Sequence, residues 1–503
     1  MANDTDEART PRVSAIEHET YLAEEKARAE LRTRQGWSRA HAKQNQMLPY
    51  GGSFLSPGDV ALLQLALDRS LASETATDED LLGAALLSAV MTTGRDLDHL
   101  SSAAFGAGSA QMQPPQVALR VDPAPTWWFA PGAPTSQQHF IKIAAPVSAA
   151  RPASIPLACS ERTWALIRSL HGGILAGQVF PGVAKEFEAA FRKYVLAAGV
   201  RASVRRVEGW MFQRLLLAKG GDTAIAALIT GRSAPITQTV VHYTALGCED
   251  MDELVAGALK GFDKIAPQAA VAPAQGRIGS RFAPTMAEAQ ALVLALSQSL
   301  LPPGRGRRRA PVSVHNAMTT YTIAFTHFAT GGRPSRYLLP DDDAIDPATG
   351  FMVVDDKPMQ DNFKSRIVWV PHECREQLRL YRAHLRKLIT LAPTIEHFTA
   401  AEAAPFYLTP ELAQVPVTRS SLRSALKEHH WAYPLNAGRH FLRTALVGQV
   451  STETLHAMLG HWHIGTESWG AGSALDPLAY RMDLTSKLAP LLLSAGWIPR
   501  GGL

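Results

Sequence analysis

The chain has 503 residues, 50 Lys and Arg against 45 Asp and Glu, and a formal net charge of +5. With 46% hydrophobic and 19% charged residues it is composed as a folded protein with room for about three domains, which excludes a mostly disordered chain. No apolar run reaches the roughly 18–20 residues of a membrane span, and the acidic start MANDTDEART resembles neither a signal peptide nor a mitochondrial presequence.

Three scattered cysteines, Cys159, Cys248 and Cys374, contain no Cys-x-x-Cys and support neither a disulfide framework nor a thiolate metal site. A reducing, cytoplasmic setting is expected, with no membrane partner, and the mild basicity is a weak hint of a polyanionic one.

Residues 1–50 read as a charged arm, its segment 15–45 an exposed helix supported by acids that precede bases. From 55 to 250 helical patterns alternate with one Pro-rich, strand-like stretch, 116–159. Residues 251–284 are expected to form a linker, since 265–281 is rich in Ala, Pro and Gly. A helix over 285–300 leads to the loop PPGRGRRR, where Arg305, Arg307, Arg308 and Arg309 suit contacts to DNA phosphate or a solvated surface. Beyond lie a helix over 313–329, a Thr-Gly-Gly-Arg turn, and β-prone runs at 351–355 and 366–370. Helices follow at 373–389, 418–429, 439–449, 453–459 and 484–494. The expected class is mainly α with a small antiparallel β-sheet (α+β).

Three stretches of the last 220 residues or so carry chemistry together: Ala329-Thr-Gly-Gly-Arg333, Asn436-Ala-Gly-Arg439-His440-Phe-Leu-Arg443, and Met458-Leu-Gly-His461-Trp462, followed by Tyr480. In these motifs and their order the sequence resembles the tyrosine recombinases, the phage-integrase family, over roughly residues 285–500, and a catalytic domain of that kind is expected over 285–503. The family's marks are an arginine after a Thr-Gly turn, a hairpin lysine, an Arg-His on a helix, a Leu-Gly-His and a downstream tyrosine. Each is weak alone, and five in order are specific.

The chemistry needs these residue types. A phenolic oxygen attacks a phosphodiester in line, leaving a 3′-phosphotyrosyl link and a free 5′-hydroxyl, so the strand can be resealed without ATP. Guanidinium forks meet the charge that builds on the non-bridging oxygens, and a lysine or histidine acid protonates the leaving oxygen. No metal or cofactor is required. The resemblance implies Arg333, Arg439 and His461 as phosphate-holding groups, Lys357 as the acid and Tyr480 as the nucleophile. Lys364, just before the second strand, competes with Lys357. Arg443 competes with Arg439, which the spacing to His461 favours (461 − 439 = 22). In that register Asn436 stands where the family carries a histidine, and His440 packs behind the arginine. Asparagine can donate a hydrogen bond but cannot shuttle a proton at neutral pH.

The first half repeats part of this grammar. Thr92-Thr-Gly94-Arg95 parallels the Thr-Gly-Gly-Arg333 turn, and Gly231-Arg232 to Tyr243 parallels the Gly-His to Tyr stretch. Residues 55–250 are therefore either a degenerate copy of the catalytic fold or a helical domain that helps clamp DNA. The expected activity is site-specific recombination on double-stranded DNA, by a homo- or hetero-tetramer associated with the nucleoid. A type IB topoisomerase-like enzyme and a catalytically silent DNA-binding partner of another recombinase are the alternatives.

Overall fold

A repeated turn device organises the chain. In the computed structural model a helix ends in threonine whose hydroxyl donates to the carbonyl four residues back, and a left-handed glycine follows. Thr93 bonds Ala89 O before Gly94 (φ 67°), Thr230 bonds Ala226 O before Gly231 (φ 71°), and Thr330 bonds Thr326 O before Gly331 (φ 59°). The same three hydroxyls accept from the N–H two residues on, at Arg95, Arg232 and Gly332. A threonine thus stops the helix and glycine turns the chain without the cost a Cβ would meet there.

The structure describes residues 54–503 apart from 107–116, 123, 130–154, 183, 219–221, 233–236, 266–275, 302–309, 335–337, 342, 356–364, 392–403, 463–466 and 471. Residues 54–503 group as one unit. The charged helix expected over 15–45 lies outside the described residues.

The first half opens with α1 (Pro57–Ala72), started by a capping box between Ser56 and Asp59. Helix α2 (Asp78–Thr93) is buried all round its second half and is the centre of this region. After α3 (Leu97–Ser101), strands β1 (Ala104–Phe105), β2 (Val117–Arg120), β3 (Thr126–Phe129) and β4 (Ile155–Ala158) form a sheet in that order, with β1–β2 parallel and the rest antiparallel. Helices α4 (Glu161–Leu170), α5 (Ala184–Ala197), α6 (Val204–Glu208), α7 (Trp210–Ala218), α8 (Thr223–Thr230) and α9 (Thr237–Tyr243) follow. Strand β5 (Ala245–Gly247), helix α10 (Cys248–Leu259) and strand β6 (Arg277–Gly279) close it, with β5 and β6 antiparallel. The expected 251–284 linker is therefore partly regular structure: Leu254, Val255 and Ala258 give α10 a buried face that outweighs the Ala/Gly-rich composition.

The second half begins with α11 (Met286–Leu300), again with a capping box, Thr285 and Glu288. Its centre is α12 (Pro311–Thr330), whose residues from Met318 to Thr330 are all buried. The antiparallel pair β7 (Phe351–Val354) and β8 (Arg366–Trp369) precedes α13 (His372–Leu391). A second pair, β9 (Phe406–Leu408) and β10 (Gln414–Pro416), precedes α14 (Arg419–Glu428), α15 (Ala437–Leu446), α16 (Thr452–Leu459) and α17 (Pro477–Ser494). Helix α17 starts seven residues earlier than its sequence pattern suggests, because Asp476 caps it and Pro477 opens it; Tyr480 is thereby in its first turn. Trp497 stacks on Phe325 at 5.1 Å and packs against Tyr321 and Phe328, tying the C-terminus to the central helix. The class is mainly helical with small, mostly antiparallel sheets. No helix among the described residues is long and apolar enough to cross a membrane.

Candidate active site

Two helix ends meet in the second half. The glycine after α12 lies against the end of α16, such that a Cβ at Gly331 would come within 2.8 Å of Leu459. Helix α16 closes with Gly460, also left-handed at φ 62°. The carbonyls freed at the two ends are collected by two buried arginines. Arg366, on β8, donates to Thr330 O (3.1 Å), Gly331 O (3.2 Å) and Met458 O. Arg439, on α15, donates to Gly331 O (3.2 Å) and Leu459 O. Both are about 1% exposed.

Around Arg439 the expected residues converge, on a side chain from the other half of the chain. Tyr243, at the end of α9, has its ring centroid 5.0 Å from the Arg439 guanidinium carbon. His461 stacks on the same ring at 5.1 Å and 26°, and His440 lies 4.5 Å away. Arg333 is half-buried, and its Nη2 donates to the Tyr243 hydroxyl at 3.3 Å. Arg333, Arg439 and His461 thus come from three separate elements to one phenol.

Burial, with the positive charge of the neighbouring arginines, holds the histidines neutral. Burial pushes His461 well below its ordinary range, and Arg439, His456, Arg443 and Arg333 add to this. His440 is lowered by burial first, then by His242, Arg439 and Arg333. Neither ring nitrogen of His461 has a hydrogen-bond partner among the described residues. Those of His440 are engaged, Nδ1 with Ser280 Oγ at 2.8 Å and Nε2 with the Asn436 amide at 3.3 Å. Asn436 therefore orients His440.

Arg443 has a different occupation from Arg439. Its Nη2 meets the Asp222 carboxylate at 2.5 Å, with both side chains buried, so it ties α15 to the N-cap of α8. Tyr480 is not gathered with the arginines and His461. It is fully buried, its hydroxyl donates to Ile367 O at 3.0 Å, and its ring packs on Trp469 (5.0 Å) and Phe351 (6.1 Å). Burial pushes its pKa up, partly offset by the Arg366 charge. Lys357, Lys364, Arg305, Arg307, Arg308 and Arg309 lie outside the described residues. Arg95 is drawn inward, with Nη2 on Ile229 O at 3.0 Å, and burial lowers its pKa to about 10.

Sequence reasoning missed the two residues that complete this arrangement. Arg366 falls in a β-prone run where nothing marks it as a carbonyl collector. Tyr243 does end the Gly231-Arg232 stretch that parallels the Gly-His to Tyr motif, and that was its only signal. Beside Arg333 a cavity of about 230 Å³ opens, lined also by His327, Thr330, Asp341 and Asp355. Comparison of the chain with protein-family models, with curated proteins and with solved structures gave no match.

Proposed function

We propose that the chain is a DNA strand-transfer enzyme of the tyrosine-recombinase kind, cutting and rejoining a strand through a 3′-phosphotyrosyl intermediate. The observation that supports this is the convergence of Arg333, Arg439 and His461 on one tyrosine ring. Arg333 is the half-buried cation with a terminal nitrogen beside a phenolic oxygen, the arrangement that would hold a phosphodiester next to a nucleophile. Arg439, fixed by two backbone carbonyls, supplies preorganised positive charge behind it. His461 is a neutral imidazole whose ring nitrogens have no hydrogen-bond partner among the described residues, so one of them can donate to a phosphate oxygen. The substrate in this reading is double-stranded DNA, the working form a tetramer on that DNA, and the first half a degenerate copy of the catalytic fold.

The test is covalent capture. A pool of randomised DNA duplexes with sulfur at the bridging 5′ position should yield adducts that survive SDS. Arg333→Ala should lower the rate of adduct formation by about 10²–10³-fold with unchanged thermal unfolding. Absence of any adduct with the unaltered protein overturns strand cleavage. The second reading, a silent DNA-binding partner, is favoured by the sealed position of Tyr480, and it expects retention of the same DNA without a covalent product.

A further inference from the structure

We propose that the nucleophile is Tyr243, contributed by the first half of the chain to the arginine–histidine cluster of the second, and that Tyr480 is a core residue. This rests on the strand-cleavage reading above and specifies its reacting atom. Of the two tyrosines, Tyr243 is the one whose hydroxyl meets a candidate phosphate-holding arginine, at 3.3 Å from Arg333 Nη2. Tyr480 spends its hydroxyl on a backbone carbonyl inside the core.

The placement of Tyr243 is enforced from both sides of its backbone. Thr444, one turn after Arg439–His440 on α15, donates through its hydroxyl to Tyr243 O at 3.4 Å and accepts from Ala245 N at 3.0 Å. Ser280 N donates to Thr244 O at 2.8 Å, while Ser280 Oγ engages His440. The helix that carries Arg439 therefore also fixes the tyrosine, so phenol and guanidinium are held in one frame. Such orientation is what an in-line attack requires.

The step balances without a co-reactant. Tyr243 Oη forms a bond to phosphorus and the bond from phosphorus to the 5′-oxygen breaks. The proton lost by the phenol matches the one gained by the departing 5′-hydroxyl, and rejoining reverses both. Arg333 stabilises the phenolate as it forms and the non-bridging oxygens of the phosphate whose phosphorus it attacks, and the proton passes from phenol to leaving oxygen through solvent.

Two tryptic peptides separate the candidates, because 233–260 contains Tyr243 as its sole tyrosine and 444–481 contains Tyr480 as its sole tyrosine. Full-length protein captured on the phosphorothiolate duplex pool is digested, and the nucleotide-bearing peptide is identified by mass spectrometry. The expected result is an adduct on 233–260, lost in a Tyr243→Phe variant that unfolds at the same temperature as the parent. An adduct on 444–481 overturns the assignment and leaves strand cleavage standing. Adduct formation that persists or rises in Tyr243→Phe also overturns it, since the phenol would then be a plug in the site. No adduct in the unaltered protein removes both proposals together.

Discussion

The two halves of the chain share a plan and differ in where its cations go. Each opens with a capped helix followed by a buried central helix that ends in a Thr-Gly turn. In each the glycine of that turn packs against the end of a later helix: Gly94 against Thr230, and Gly331 against Leu459. The same glycines also face the preceding helix, at Met211 and Leu442 respectively. The fates of the side chains diverge. Arg95 is pulled under, over the Phe129 ring at 4.5 Å, whereas Arg333 stays half-buried and reaches Tyr243. Arg232, in the place of His461, is paired with Glu208 at 3.3 Å and Asp96 at 3.4 Å. The two halves thus share a turn geometry, while burial and carboxylates engage the cations of the first.

Breaking the link between the halves should have the largest effect. Arg443→Met leaves the buried Asp222 carboxylate without its cation and should cost about 3–5 kcal/mol in urea unfolding. Adding Asp222→Asn, which retains a capping side chain for α8, should restore part of that. A loss under about 1 kcal/mol would show that the pair does not join the halves energetically.

The shared turns come next. Gly94→Ala and Gly331→Ala each force a Cβ into the left-handed region, at about 1–2 kcal/mol, and into contacts at 2.6 and 2.8 Å. Similar losses are expected, and a difference above about 2 kcal/mol would break the correspondence between the turns. The site histidines give a pH signature. His461 and His440 have folded pKa values below 6.5, so their contribution is present above that pH and is lost as pH falls toward the folded values. Stability should fall on acidification from pH 6.5 by about 1.4 kcal/mol per pH unit for each histidine. His461→Asn should flatten the curve by one such share in denaturant titrations at stepped pH.

The smallest effects concern the outer cations. Arg232→Ala should cost no more than about 1 kcal/mol, and Arg333→Ala about 0.5 kcal/mol or less, by thermal melts. An Arg333 variant as destabilised as the Arg443 one would make Arg333 a structural residue.

Local patterns in the sequence carried the helices, the turns and the strand pair before α13, because capping, glycine and β-branched signals act over a few residues. The sequence places Arg439 and Arg443 one turn apart on a helix but does not show that one bonds backbone carbonyls and the other Asp222. Other features needed pairings across the whole chain. Asp222 and Arg443 are 221 positions apart, and Tyr243 and Arg333 are 90 apart. Tyr480 shows the converse: its position after Leu-Gly-His gives no sign that β8, Phe351 and Trp469 enclose it. The buried face of α10 was masked by its small residues, and the extra pair β9–β10 by its brevity.

The meeting of two helix C-termini at Gly331 and Leu459 has an electrostatic consequence. Left bare, that junction is a concentration of negative dipole ends and would repel a phosphate. Arg366 and Arg439 set two full positive charges against it, more than the roughly half charge carried by each helix end. Removing the charge of Arg366 would weaken the positive field at this junction without abolishing it, since Arg439 remains on the same carbonyls. Half of the charge that sets the field at this junction thus comes from a strand residue outside every motif.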